Sequence, residues 1–357
     1  MKILERYILA EFAKLLLISV LSFMVLFIMV DLFENMDNLM KHGVPLFSSV
    51  FFFIYKVPFI MVQISPVAVL IAVLLSLGLF SRHGEITAVK AGGVRLLRVL
   101  LPLLVSGLLI SIAVIIINES VTPAALKKVD AFRQQWFGIQ GSAFGKEGMW
   151  VRTSRGIFNI RQIDLEKNEL RGFTLYEIEK PFNLKRRIHS KVVEWKDGKW
   201  VTAGATVWNF NEKGEAAKQE VGAIEVTGLM EPGDLADVEN LQKNMGFMEL
   251  RRYIQGLEAD GYDASRYRID LYGKVAFPLV NFIMVLMGIP FALKTGRHGG
   301  IAVGVGLSVV IAFSYWVVFA VTRSLGQTGM IPPMLSAAFP DILFFAVGAL
   351  MYGYVRQ

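Results

Sequence analysis

The sequence contains no cysteine, which removes disulfides, thiol nucleophiles and thiolate metal sites from consideration. Histidine is scarce: His42, His83, His189 and His298 stand far apart, with no HExxH pair and no second ligand at metal spacing, so the pattern offers no zinc site. A Gly-x-Ser-x-Gly elbow is missing, and neither Ser142 nor Ser154 has a base that the sequence places beside it. The nearest approach to a nucleotide-binding loop is Gly145-Lys146. It fails twice, because Gln140 stands where the first glycine belongs and Glu147 replaces the hydroxyl residue that would hold magnesium. Gly304-x-Gly306 lacks a third glycine and lies in apolar sequence, where close helix packing accounts for it. No catalytic residue and no metal site is expected, and any ATP with its magnesium belongs to another chain.

Charge is sparse as well. Only 19% of the 357 residues are charged while 54% are hydrophobic, against about 25% charged in soluble chains. The charge is also uneven. Residues 118–274 hold 24 of the 37 Lys and Arg and 23 of the 30 Asp and Glu, a net of +1, which leaves +6 of the +7 excess on the apolar ends. Cations flanking apolar spans set topology or meet anionic lipid, and nucleic acid is not the expected partner.

A bilayer core of roughly 30 Å takes about 20 helical residues. Six segments approach that length: Leu15 to Val30, Val57 to Phe80, Val99 to Ile117, Val275 to Leu293, Ile301 to Val321, and Pro333 to Val355 with Pro340 and Asp341 inside it. The N-terminal run is long, preceded by Glu5 and Glu11, and followed by no small-residue cleavage pattern, so it reads as an anchor. Arg82, Lys90, Arg95 and Arg98 between spans two and three, and Lys294 and Arg297 between spans four and five, put those loops in the cytoplasm. Both termini then follow them, and the charged middle lies outside. Asp341 is costly in hydrocarbon, so it is expected to face protein or to lie near the outer interface beside Pro340, with a helix break there, near the periplasmic end.

The middle reads as strands: Met149 to Thr153, Ile157 to Ile163, Leu170 to Glu177, Arg187 to Trp195, Lys199 to Trp208 and Gly222 to Val226. Turn signals fall at Ser154-Arg155-Gly156, Asp197-Gly198 and Asn211 to Gly214, of which Asp197-Gly198 is the strongest hairpin mark. Helical patches flank the strands at Pro123 to Trp136 and Phe247 to Leu257. The fold class is therefore an α-helical membrane protein of six transmembrane helices, three plus three, with an inserted all-β extracytoplasmic domain of jelly-roll or sandwich type. The expected boundaries are 1–117 for helices one to three, 118–270 for the β domain with its flanking helices, and 271–357 for helices four to six.

The stretch Ser81 to Arg98, SRHGEITAVKAGGVRLLR, stands out. Glu85, Ile86, Ala88, Val89 and Lys90 make a short amphipathic helix that Gly92-Gly93 ends. An ordinary basic loop and a docking surface for a motor subunit both fit that composition.

Taken in order, ILERYILAEF at the start, SRHGEITAVKAGG after span two, YRIDLYGKVAFPL before span four and GMIPPMLSAAFPDILF in span six make the chain resemble the LptF and LptG permeases of the lipopolysaccharide export ABC transporter, with the LptG-like member favoured. The resemblance covers nearly the whole chain. It implies a heterodimer with a paralogous permease, a cytoplasmic ATPase dimer, a periplasmic jelly-roll protein, a single-span jelly-roll subunit, and a bacterial inner membrane location. It implies that residues of about 81–93 form the coupling helix, with Glu85 engaging the ATPase and Arg82 and Lys90 assisting. Lipopolysaccharide would enter a cavity where Leu16, Phe23, Leu26 and Phe27 of span one meet acyl chains, while Lys41, Lys56 and Arg133 meet headgroup phosphates. The competing reading is a membrane-anchored scaffold or sensor without transport, which dependence on an ATPase separates from the first.

Overall fold

In the computed structural model the described residues are 2–137, 142–145, 148–153, 156–164, 168–179, 183–210, 216–226, 245–259, 261, 263–295 and 301–353. The turn expected at Asn211 to Gly214, Ser154-Arg155 of another turn, Lys146, Arg297 and His298 lie outside them. The chain divides into two compact units, 1–126 with 265–357, and 127–264.

The first unit holds α1 (Lys2–Lys41), α2 (Leu46–Arg82), α3 (Glu85–Ala91), α4 (Leu96–Ile116), a π-helical turn (Ile117–Val121), the start of α5 (Thr122–Phe137), and α7 (Ser265–Thr295), α8 (Ile301–Gln327) and α9 (Pro333–Gly353). Six helices are long and apolar enough to cross a membrane. Several run beyond the apolar segments that announce them. The 40 residues of α1 extend about 60 Å at 1.5 Å per residue, twice the hydrocarbon thickness, and carry Asp31 and Lys41 as helical residues rather than loop residues.

Coverage by protein differs sharply between helices. The most apolar stretches of α2 and α7 are 78% and 67% buried, whereas those of α1 and α8 are 6% and 22% buried. Thus α2 and α7 form the centre, where Val69, Leu70, Val73, Leu77, Val280, Val285 and Ile289 make one core cluster. Small residues let α4 close on α7: a Cβ at Gly107 would lie 2.7 Å from Val285 Cγ2. One turn further, Ser111 Oγ accepts the Phe282 backbone N–H at 3.1 Å.

The break expected at Pro340 does not occur, since α9 is continuous from Pro333 to Gly353. Its buried residues, Ser336, Ala337, Pro340, Asp341, Phe344 and Gly348, form one stripe that passes through the proline. Proline forfeits a single N–H and packing on both sides of it holds the helix, as is common where neighbouring helices surround the backbone. Asp341 does face protein: the Tyr315 hydroxyl on α8 donates to its Oδ1 at 2.8 Å. Arg323 of α8 pairs with Asp270 of α7.

The second unit contains most of α5, nine strands and α6 (Phe247–Ala259). The strands are β1 (Ser142–Gly145), β2 (Gly148–Thr153), β3 (Gly156–Asp164), β4 (Glu169–Glu179), β5 (Asn183–Lys196), β6 (Lys199–Thr202), β7 (Ala205–Phe210), β8 (Ala216–Val221) and β9 (Ile224–Val226). They form one open antiparallel sheet in the order β1-β2-β3-β4-β5-β6-β9, with β7 also on β5 and β8 on β7. The inserted all-β domain is therefore present. The stretch Lys199 to Trp208 is two strands, β6 and β7, that keep a single register on β5. They part at Ala203-Gly204, where the hydroxyl of Thr202 bonds both the N–H and the C=O of Gly204, at 3.2 and 2.9 Å, in place of the ladder. Asp197 and Gly198 both have positive φ, +50° and +78°, the geometry of a tight primed hairpin between β5 and β6. Met149, Phe158, Ile160, Phe173, Leu175, Ile188, Val193, Val207 and Trp200 make one core cluster of the sheet.

Candidate functional site

The short helix expected after α2 is α3, and its ends are set by glycine. Gly84 precedes it at φ +75°, and Gly93, at φ +73°, follows Gly92 at its end. These left-handed positions carry no steric cost for glycine. Gly92 N–H bonds Ala88 O at 2.9 Å and Val94 N–H bonds Val89 O at 3.3 Å, which satisfies the last carbonyls.

Because α3 is amphipathic, Ile86 and Val89 turn into an apolar groove with Leu4 and Ile8 of α1, Leu77 and Phe80 of α2, and Leu96, Val99 and Leu100 of α4. Thr87, Ala88 and Lys90 face outward, flanked by Arg82, which is also exposed. Glu85 sits in the first turn, where the helix dipole favours a carboxylate. Its side chain remains 36% exposed. It is held from two sides: Tyr7 Oη donates to Oε1 at 3.4 Å, and His83 Nδ1 lies 3.7 Å from the same oxygen. Tyr7 also packs its ring 5.3 Å from that of Phe80. The reading of the loop alone missed Tyr7 and His83 as neighbours of Glu85. Tyr7 lies within the opening ILERYILAEF, which was the available signal.

The three candidate headgroup cations have different surroundings. Lys41 is exposed in the last turn of α1. Lys56 is engaged: its Nζ donates at 2.8 Å to both oxygens of Asp31 on α1, lies 4.4 Å from the centre of the Phe52 ring, and the pair is only 12% and 13% exposed. Arg133 is half-buried on α5, in the second unit.

The candidate acyl-chain residues share α1 but not one environment. Leu16 packs against the core cluster. Phe23 is half-buried. Leu26 and Phe27 belong to the uncovered face, 58% and 36% exposed, as do Val309, Phe313 and Val317 on α8. Apolar helix faces left open in this way meet lipid, a partner helix or an amphiphile. Among the described residues, no three His, Asp or Glu side chains come together as a metal-binding group.

Comparison with known proteins bears on this arrangement directly. The family model described as lipopolysaccharide export system permease LptF/LptG matches residues 6–354, a stretch that takes in nearly all of the first span, the other five spans and the inserted sheet. The chain belongs to the LptF/LptG family. Among curated relatives, the lipopolysaccharide export system permease protein LptG of Escherichia coli (strain K12) is 24% identical over 359 residues, covering 97% of this chain and 96% of the relative. The LptG protein of Haemophilus influenzae (strain ATCC 51907 / DSM 11121 / KW20 / Rd) is 19% identical over 354 residues, covering 96% of each. Both names agree with the LptG-like member favoured from the sequence segments. Within the LptF/LptG frame, α3 and the open faces of α1 and α8 are the features that call for a function.

Proposed function

We propose that this chain is one permease half of a lipopolysaccharide exporter in the bacterial inner membrane. Both termini and α3 lie in the cytoplasm and the β unit lies in the periplasm. A paralogous permease completes the membrane pair, an ATPase dimer docks at α3, and a periplasmic jelly-roll protein with a single-span jelly-roll subunit receives the lipid. ATP and magnesium are held by the ATPase. Lipopolysaccharide enters from the outer leaflet, and closure of the cavity between the permeases drives it toward the β domains.

The observation that carries this reading is α3 within a chain that matches its family over residues 6–354. A seven-residue helix, fixed by two left-handed glycines and seated on α1, α2 and α4, presents Glu85 and a small exposed face while its apolar side stays covered. Such a helix transmits displacement of a docked protein to three spans at once. Leu16, Phe23, Leu26 and Phe27 supply the acyl-chain wall, and Lys41 and Arg133 meet the headgroup. Lys56 joins them only by leaving Asp31.

The test is co-purification of the tagged full-length chain with its neighbours in detergent, followed by ATPase and transport assays on wild type and Glu85→Ala. An ATPase and a second permease that co-isolate, with coupling weakened by the substitution, support the exporter. A chain that purifies alone, or a complex indifferent to Glu85, supports a membrane-anchored scaffold instead.

A further inference from the structure

The face of the β sheet turned away from its core carries an arginine that, among the described residues, has no counter-ion. Strand register aligns Ile157, Tyr176, Arg187, Trp208 and Lys218 as one rung across β3, β4, β5, β7 and β8. The adjacent rung, Phe158, Leu175, Ile188 and Val207, is the core rung, so alternation puts Arg187 on the opposite face. The Arg187 guanidinium carbon lies 5.6 Å from the Tyr176 ring centre and 4.9 Å from that of Trp208. Trp150 continues the stack, its ring 5.7 Å from Tyr176 and inclined by 23°.

Rings hold such a cation but do not neutralise it. Among the described residues no carboxylate pairs with Arg187, and its Nε is buried without a hydrogen-bond partner. Its neighbour Arg186 shows the contrast, giving two hydrogen bonds to Glu177 at 3.0 and 2.9 Å. Glu220, further along the sheet, takes Lys218 at 3.4 Å. The local field is positive: His189 is held below the usual imidazole range, first by burial and then by Arg187, with Arg161 and Lys191 adding to it. A planar fork of donors, fixed in orientation and with no acceptor among the described residues, suits a phosphate, and three aromatic rings beside it offer flat apolar surface.

We propose that Arg187 anchors a binding site on the outer face of the β unit for a phosphate carried on a sugar, with Trp150, Tyr176 and Trp208 forming the platform for the sugar. The source of that group is either the headgroup of a glycolipid or a free sugar phosphate. The ligand contacts involve neither α3 nor the spans; the glycolipid source rests on the export reading and the free sugar phosphate does not.

The experiment uses the full-length chain in nanodiscs of zwitterionic lipid. Arginine modification by phenylglyoxal is followed at Arg187 by peptide mass spectrometry, with glucose 6-phosphate, inorganic phosphate, glucose or lipopolysaccharide as protectant. Sugar phosphate is expected to protect Arg187 saturably, inorganic phosphate more weakly and glucose not at all. Tryptophan fluorescence titration then gives binding for wild type, Arg187→Lys and Arg187→Gln, with a loss of about tenfold or more for the glutamine variant and a smaller loss for lysine. Protection by lipopolysaccharide alone assigns the glycolipid headgroup, and equal protection by glucose 6-phosphate assigns the free compound. Lack of protection by any phosphate in the wild-type chain overturns the site whatever the variants do, and equal protection by phosphate and sugar phosphate overturns the aromatic platform. Failure here leaves the Glu85 test of export unaffected.

Discussion

Tyr315→Phe isolates one hydrogen bond in the middle of the membrane unit. The Tyr315 hydroxyl donates to Asp341 Oδ1 at 2.8 Å, and the two residues are 3% and 8% exposed. A hydrogen bond to a carboxyl group in a soluble protein contributes about 1.5–3 kcal/mol, whereas cycles between membrane helices average about 0.6 and reach about 1.7. Burial on both sides keeps water from replacing the lost partner, so the effect should fall near the top of the membrane range, about 1.5 kcal/mol or tenfold in the folded ratio. Asp341→Leu should cost a similar amount by orphaning the hydroxyl. The double variant, with both polar groups gone, should return close to wild type. Asp341→Asn keeps an acceptor and should change little. Reversible unfolding in mixed micelles, titrated with a denaturing detergent and followed by circular dichroism, measures all four. Additive losses in the double variant would refute the argument, because two residues that share a bond cannot act independently.

Three further outcomes follow from the geometry. Asp31→Asn removes the carboxylate that holds the nearly buried Lys56 cation and should destabilise by about 3 kcal/mol, with Asp31→Asn/Lys56→Met less affected than the single change; the same micelle unfolding assay reads it. Gly107→Val drives side-chain atoms into Val285, a β-branched residue with little freedom, and should cost about 1–3 kcal/mol or more and loosen α4 from α7, read as faster amide exchange along α4. His189 is depressed in the fold by burial and by Arg187, so the unfolded chain binds more protons below its ordinary range. Stability from this group is full above about pH 6.5 and falls as pH drops from there toward the lowered native value. The thermal midpoint of the β unit, followed by tryptophan fluorescence, should decline over that window in wild type and stay flatter in His189→Gln.

Much of this fold is readable in the linear pattern, for reasons that differ by element. The spans announce themselves because lipid demands runs of apolar residues, and the Asp197-Gly198 hairpin because two positive φ angles need that pair. Helix ends are less legible: Asp31 and Lys56 look like loop charges, and only the fold shows that residues 25 positions apart close on each other and carry α1 and α2 beyond the apolar core. Pro340 misleads for a similar reason, since its local effect is offset by a buried stripe whose partners lie on other helices. Strand β8 escapes notice because it is AAKQEV, with five of its six residues exposed, and so shows no alternation of buried and exposed positions, and β1 because its four residues, SAFG, are too few to show a period. At the candidate site, α3 itself is legible from Glu85 to Gly93, while its hold on Tyr7 depends on a residue 78 positions away.

A helix of two turns has negligible stability of its own, and α3 has no fully buried residue. Its amides, such as those of Ala88 and Gly92 that close single turns on Gly84 and Ala88, therefore open at the low end of the local free-energy scale, while those of α2 beside it are locked. Hydrogen exchange in the isolated chain should find a bright seven-residue window between two dark spans. Any protein that docks there should darken that window and nothing else around it.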